Sequence, residues 1–320
     1  MTVLLCCGLG QRVDGVQERQ ALDAKASSIM FGLCILWGLQ QIVVKLAAED
    51  ISPLMQMALR SGLSALLVFP LIKLAQGQSL WSRQYWFSGA LVAGLFATEF
   101  CLLAEALRFT TASHTVVLLY TAPIFVALGL HWKLPAERLT WKQWSGIAIA
   151  FLGIVTTFLG GERESSMQSL SHVILGDLLA LCAGIFWAST TLAVRLTNLS
   201  EAPATQTLFY QLFGGFICLL PMTFILGQSE IRWSMLTLTS LLFHAVLISF
   251  ASYLIWFWLL KKYLASRLGV FSFLTPLFGI LFGVVILNEP LERAFIIGTS
   301  MVMLGVLIVS LSGRAKQPSR

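Results

Sequence analysis

Charge is the scarcest property of this chain. Of its 320 residues, 11% are Asp, Glu, Lys or Arg and 57% are hydrophobic, whereas a soluble domain carries about 25% charged residues. So few polar side chains cannot coat a water-facing globule, and a soluble fold is excluded. Strict apolar–polar alternation in strand-length segments is also missing, which argues against a membrane β-barrel.

The six cysteines form no framework. Cys34, Cys101, Cys182 and Cys218 fall in apolar runs, where a thiol behaves as a small hydrophobe, and Cys6 and Cys7 are adjacent. There is no Cys-x-x-Cys, and His114, His131, His172 and His244 lack ligand spacing, so no metal or cofactor is expected. Gly-x-Ser-x-Gly, His-Glu-x-x-His and phosphate-loop signatures are absent. The one Asp inside an apolar run, Asp177, reads as a rim or cap residue opening the sixth helix. A membrane-embedded enzyme or a scaffold is therefore a poorer reading than a carrier. The net charge of +6 sits mostly in short loops with no aromatic-interleaved basic stripe, so nucleic acid is not an expected partner. Residues 1–26 lack a basic n-region and a small-residue cleavage site and read as a cytoplasmic tail.

What the chain has in quantity is apolar runs of spanning length. Ten can be delimited, at 27–47, 53–74, 84–106, 112–134, 141–160, 173–196, 204–227, 237–260, 265–288 and 292–312. With the N-terminus inside, the inner segments hold most of the Lys and Arg, including Lys133, Arg138, Lys142, Lys261, Lys262 and Arg267. The outer loops hold Arg108, Arg163, Arg232 and Arg293. That bias predicts two cytoplasmic termini.

The runs repeat. Ile35, Trp37, Val44-Lys45, Pro53 and Gln56 recur as Ile185, Trp187, Val194-Arg195, Pro203 and Gln206 in one unbroken register. Ala112-Ser113, Val117 and Pro123 recur as Ala265-Ser266, Val270 and Pro276. Glu137, Leu139, Gly146 and Gly153 recur as Glu289, Leu291, Gly298 and Gly305. Five spans is an odd number, so the second copy must lie inverted relative to the first. The expected architecture is all-α and transmembrane, with ten helices in two inverted five-helix repeats: 27–160 and 173–312, joined by a linker over 161–172, with a tail at 313–320.

These residues resemble the EamA family of the drug/metabolite transporter superfamily. The shared pattern is an early Trp (Trp37, Trp187), a second helix with Pro then Arg (Pro53, Arg60), a Pro-centred fourth helix (Pro123, Pro276), and Glu-x-Leu before a Gly-rich fifth helix. Two departures stand out. Trp-Lys-Leu-Pro-Ala precedes Glu137 where a Gly-Glu is usual, and Tyr210 stands where the second copy would repeat Arg60. The resemblance implies a bacterial inner-membrane carrier that exports small metabolites, often amino acids. An uptake carrier or a nucleotide-sugar-type exchanger is the alternative within that class, and a monomer or homodimer is expected.

Candidate site residues follow from the polar groups inside apolar runs. Arg60 costs roughly 2.5–3.5 kcal/mol to place at mid-helix, so it needs a substrate anion, a partner such as Glu99 or Glu105, or a route to the surface. Glu99, the deeper carboxylate of the third helix, is the candidate for proton coupling. Glu105, with Arg108 and His114, reads as a rim salt bridge. Trp37, Trp187, Trp256 and Trp258 lie mid-helix rather than at the interface and suggest an aromatic-lined cavity. Tyr120, Gln40, Gln41, Tyr210 and Gln211 supply hydrogen bonds to orient a ligand. Pro123 and Pro276 free carbonyls and allow gating bends. Gly279 and Gly283 permit close helix packing. Glu137 and Glu289 read as caps or loop salt bridges.

Overall fold

A computed structural model of the chain describes residues 23–76, 83–133, 139–159, 167–263, 268, 271–272 and 274–312. The tail to residue 22, Trp81, Glu137, residues 160–166 of the linker, Ala265-Ser266, Val270 and the C-terminal tail lie outside the described residues.

The helices are α1 (Ala24–Leu46), α2 (Pro53–Gln76), α3 (Trp86–Phe109), α4 (Ala112–Leu119), α5 (Ala122–Lys133), α6 (Trp141–Leu159) and α7 (Met167–Leu196). There follow α8 (Ala204–Ile225), α9 (Met235–Leu242), α10 (Tyr253–Lys262), α11 (Leu274–Leu287) and α12 (Arg293–Ser312). A π-helical stretch, Phe243–Ser252, joins α9 to α10. Seven helical segments of the described chain are long and apolar enough to cross a bilayer, and the segments near the C-terminus are shorter apolar helices. With α4–α5 counted as one broken span and α9–α10 as one continuous span, the protein is a ten-helix bundle.

Local chemistry sets where the spans begin. Asp23 caps α1 by accepting from Ala26 N at 2.7 Å. Ser52 does the same for Met55 N ahead of Pro53, which occupies the first helical turn, where its missing N–H costs nothing. Thr140 and Gln143 cap α6 reciprocally. The sixth span is already helical at Met167, earlier than its apolar run suggests. Asp177 is therefore about three turns inside the helix rather than at its opening, and it is 2% exposed.

The inversion is visible where α6 meets α12. A Cβ added to Gly146 would lie 2.8 Å from the Gly305 carbonyl, and one added to Gly153 would lie 2.6 Å from the Gly298 carbonyl. Gly146 and Gly153 are the sequence counterparts of Gly298 and Gly305. The contacts pair the first of one copy with the second of the other, so these two helices cross antiparallel about a two-fold axis. Only glycine allows backbones this close, so the family's small residues mark the seam between the copies. Gly279 and Gly283 also serve internal packing, against Val116 and Ser113 of α4.

Pro123 breaks the fourth span as expected. α4 ends at Leu119 and α5 starts at Ala122, with Thr121 Oγ1 donating to Leu118 O at 2.6 Å across the break. Gly184 of α7 sits against the Leu118 and Leu119 carbonyls at the break. Pro276 lies near the described start of α11, where residues 271–272 are also helical.

Candidate functional site

Arg60 is among the largest fully buried side chains of the described residues, at 1% exposed. Its guanidinium carbon lies 4.3 Å from the Phe100 ring centroid. Nε, Nη1 and Nη2 have no hydrogen-bond partner among the described residues. No ion pair joins it to Glu99 or Glu105, so both static pairings are ruled out as its anchor in this conformation. Nor does it reach the surface. Glu99, also buried, Tyr253 of α10 and His244 are groups within electrostatic reach. A buried guanidinium stacked on an aromatic face and otherwise bare is expensive unless something anionic completes it. Gln41 Oε1 and Ser249 Oγ are likewise buried without partners.

Aromatic side chains surround this centre in two groups. Tyr120, at the break between α4 and α5, meets Trp187 edge-on with centroids 5.2 Å apart. Both pack, with Tyr253, on the apolar cluster that contains Phe100. Trp37 meets Trp256 edge-on at 5.5 Å in a neighbouring cluster. Trp37 Nε1 donates to Ser252 Oγ at 2.9 Å, which ties that cluster to the residue preceding Tyr253. Trp37, Tyr120, Trp187, Tyr253 and Trp256 all keep partial accessibility although they sit between helices. Trp258 does not join them: it is 42% exposed on the outside of the bundle.

Tyr210 is not brought to Arg60 either. It packs with Tyr85, Val92 and Leu199, and against Gly89, at the end of the bundle where α1 starts and α12 ends. Inversion explains the separation: positions equivalent in sequence fall at mirrored depths, so the counterpart of a residue near one face lies near the other.

The eighth span contributes groups that its sequence pattern hid. Ser240, His244, Ser249 and Tyr253 lie at steps of four, five and four, and the first three are fully buried. Read at 3.6 residues per turn, the five-residue step scatters the stripe. The π-helical stretch, with its i→i+5 bonding, keeps these residues on one face. Ser64 Oγ of α2 donates to the Ala245 carbonyl of this stretch at 2.9 Å.

At the opposite end, where α1 finishes and α12 begins, polar ties join the spans. Glu289 accepts from Ala112 N (2.7 Å), Ser113 N (3.0 Å) and Ser113 Oγ (2.6 Å), and lies 3.7 Å from Lys45 Nζ. It is a cap, as expected, but for α4 rather than for the helix that follows it. Asn288, at φ 55°, supplies the left-handed turn that ends α11, and Glu289 N returns to Gly283 O, which aims the carboxylate at α4. Asp177 accepts from Thr110 Oγ1 at 2.6 Å and pairs with His114 at 2.9 Å. Glu105 pairs with Arg108 and accepts from Gln228 instead of meeting His114. Ser52 Oγ donates to Gln228 O and Arg232 N to Asp50 O, binding the two loops there.

Among the described residues no cluster of three or more His, Cys, Asp or Glu is placed to hold a metal. The comparisons with known proteins point the same way as the fold. The EamA-like transporter family matches residues 24–159 and 174–311, one match per repeat. "Uncharacterized transporter YoaV" of Bacillus subtilis is 24% identical over 285 residues, 88% of this chain and 96% of that protein. "Probable amino-acid metabolite efflux pump" of Salmonella typhimurium is 28% identical over 300 residues, 89% of this chain and 95% of its own length. A solved structure titled "Crystal structure of protein" shares the fold, with a TM-score of 0.63 and 20% identity over 91% of this chain and 99% of that one. With both halves matched and the inverted ten-helix bundle in place, this multi-pass membrane protein belongs to the EamA-like transporter family.

Proposed function

We propose that the chain is a secondary-active carrier of the bacterial inner membrane, both termini cytoplasmic, that exports amino acids or related small metabolites by alternating access. The observation that carries this reading is the bare, buried guanidinium of Arg60 on the Phe100 ring. A substrate carboxylate supplies what that group lacks, through charge-assisted hydrogen bonds. Glu99, unpaired but nearby, faces the ammonium of the same amino acid. When substrate leaves, a proton takes its place on Glu99. Ammonium and proton then compete for one carboxylate, which is the logic of exchange and suits export against an inward proton gradient. Trp37, Tyr120, Trp187, Tyr253 and Trp256 enclose the substrate's apolar part, and Gln41 accepts a hydrogen bond from it. The break at Pro123 and the helical proline Pro276 serve as bending points. The relatives named "Probable amino-acid metabolite efflux pump" support export over uptake or nucleotide-sugar exchange, and the missing nucleophile–base signatures in the sequence disfavour an enzyme.

Proteoliposomes loaded against a panel of radiolabelled amino acids test the reading. Saturable, time-dependent flux of at least one amino acid is expected. In Arg60→Ala its KM should rise roughly ten- to a hundredfold, the equivalent of about 1.5–3 kcal/mol for charge-assisted bonds. Glu99→Gln should abolish the dependence on a pH gradient while leaving downhill exchange. Unchanged kinetics in Arg60→Ala would overturn the anion site, and no flux across the panel would overturn the carrier assignment.

A further inference from the structure

His244 is buried in the π-helical stretch, and neither the family resemblance nor the substrate site accounts for it. Both of its ring nitrogens face backbone carbonyl oxygens. Nδ1 lies 2.8 Å from Ser240 O and Nε2 lies 3.0 Å from Gln40 O of α1. A carbonyl can only accept. A neutral imidazole has one N–H and one lone pair, so either tautomer sets a lone pair against one of these oxygens; the imidazolium donates to both.

The neighbouring hydroxyl does not rescue the neutral ring. Ser240 Oγ is 3.4 Å from Nδ1, but its proton is committed to Gln56 Oε1 at 2.8 Å. Gln56 cannot turn its amide around, because Nε2 donates to the Val44 and Ile51 carbonyls at 2.9 and 3.2 Å. A chain of fixed donors thus leaves His244 between two acceptors.

We propose that His244 is a proton-binding site that clamps the eighth span to the first: protonated, it bridges the Ser240 and Gln40 carbonyls, and it gives up the proton when those spans separate. The surrounding charges make the binding conditional. Arg60 of α2 is the charged side chain that faces the ring and opposes a second cation. Glu99 of α3 and Tyr253 of α10 face Arg60 in turn, and α1 presents the uncharged Gln40 and Gln41 at this level. Only with both carbonyls in reach is the imidazolium held against burial and the Arg60 field. Proton occupancy and contact between the two spans are therefore two readings of one state, independent of which substrate the carrier moves.

The test needs no substrate. Full-length protein carrying 15N-labelled imidazoles is placed in lipid nanodiscs, with His114, His131 and His172 replaced by Gln so that His244 is the sole histidine. Wild type minus His244→Gln gives the same signal if that triple variant fails to fold. Two imidazolium-type nitrogen signals are expected at the acid end of the range in which the protein stays folded, giving way at higher pH to one protonated and one bare nitrogen. In parallel, spin labels at Glu49→Cys and Leu236→Cys, in a background without native cysteines, report the separation of the first and eighth spans. The short-distance population should shrink over the same pH interval, and His244→Gln should remove that dependence. A neutral single tautomer at every pH where the protein stays folded, or distances that ignore pH, would overturn the proposal.

Discussion

Replacing Glu289 removes a carboxylate that holds the start of one span from a loop of the other repeat. The first turn of α4 exposes N–H groups that no helical carbonyl can reach. Thr111 takes that of His114 at 3.1 Å, and Glu289 takes those of Ala112 and Ser113 together with the Ser113 hydroxyl. In Glu289→Ala these donors lose their acceptor in a place only 8% exposed at the glutamate. Each orphaned N–H costs about 1–1.5 kcal/mol, and the partly exposed Lys45 pair adds well under about 1 kcal/mol. The expected loss is about 3 kcal/mol. Glu289→Gln keeps one accepting oxygen and should lose about half of that. Hydrogen exchange read at single amides is the direct assay. About 3 kcal/mol corresponds to roughly a hundredfold faster exchange at Ala112 and Ser113, with α6 and α12 unchanged. A change of less than about threefold, or equal effects of Ala and Gln, would refute the capping role and the estimate built on it.

The seam between the repeats makes a steric prediction. Gly153→Leu should lower thermal stability by at least about 1–3 kcal/mol, since its Cβ meets the Gly298 backbone, while Gly94→Ala, with nothing near its Cβ, should be neutral or slightly stabilising. Asn288→Val should destabilise by about 1–2 kcal/mol through its left-handed backbone and Asn288→Gly should not, as denaturant titration in detergent would show. Trp258→Ala should leave transport kinetics intact whereas Trp187→Ala should not, because Trp258 faces outward and Trp187 packs on Tyr120. Equal losses in the proteoliposome assay would contradict that division.

How far the sequence reached depended on the kind of signal. Span count and inversion were legible because a bilayer tolerates only long apolar helices and because five spans cannot repeat without flipping. Arg60 was legible for the same reason: a cation in an apolar run must have a purpose. Its surroundings were not. Glu99 was named as a partner of equal standing, yet the fold leaves the two unpaired. His244 was weighed only as a metal ligand and Tyr253 not at all, because the π turn shifts their register. Tyr210 was expected to help orient a ligand by hydrogen bonding, and the two-fold that relates the copies carries it to the end of the bundle away from Arg60.

Composition, run length and repetition thus determined the architecture by themselves, since each is a property of the chain read along its length. Which polar groups meet, which stay bare and which end of the bundle is stitched by Glu289 and Asp177 was decided only in three dimensions. Those outcomes depend on helix rotation and depth, and a turn of a few tens of degrees, invisible in an apolar sequence, moves a side chain from lipid to the interior.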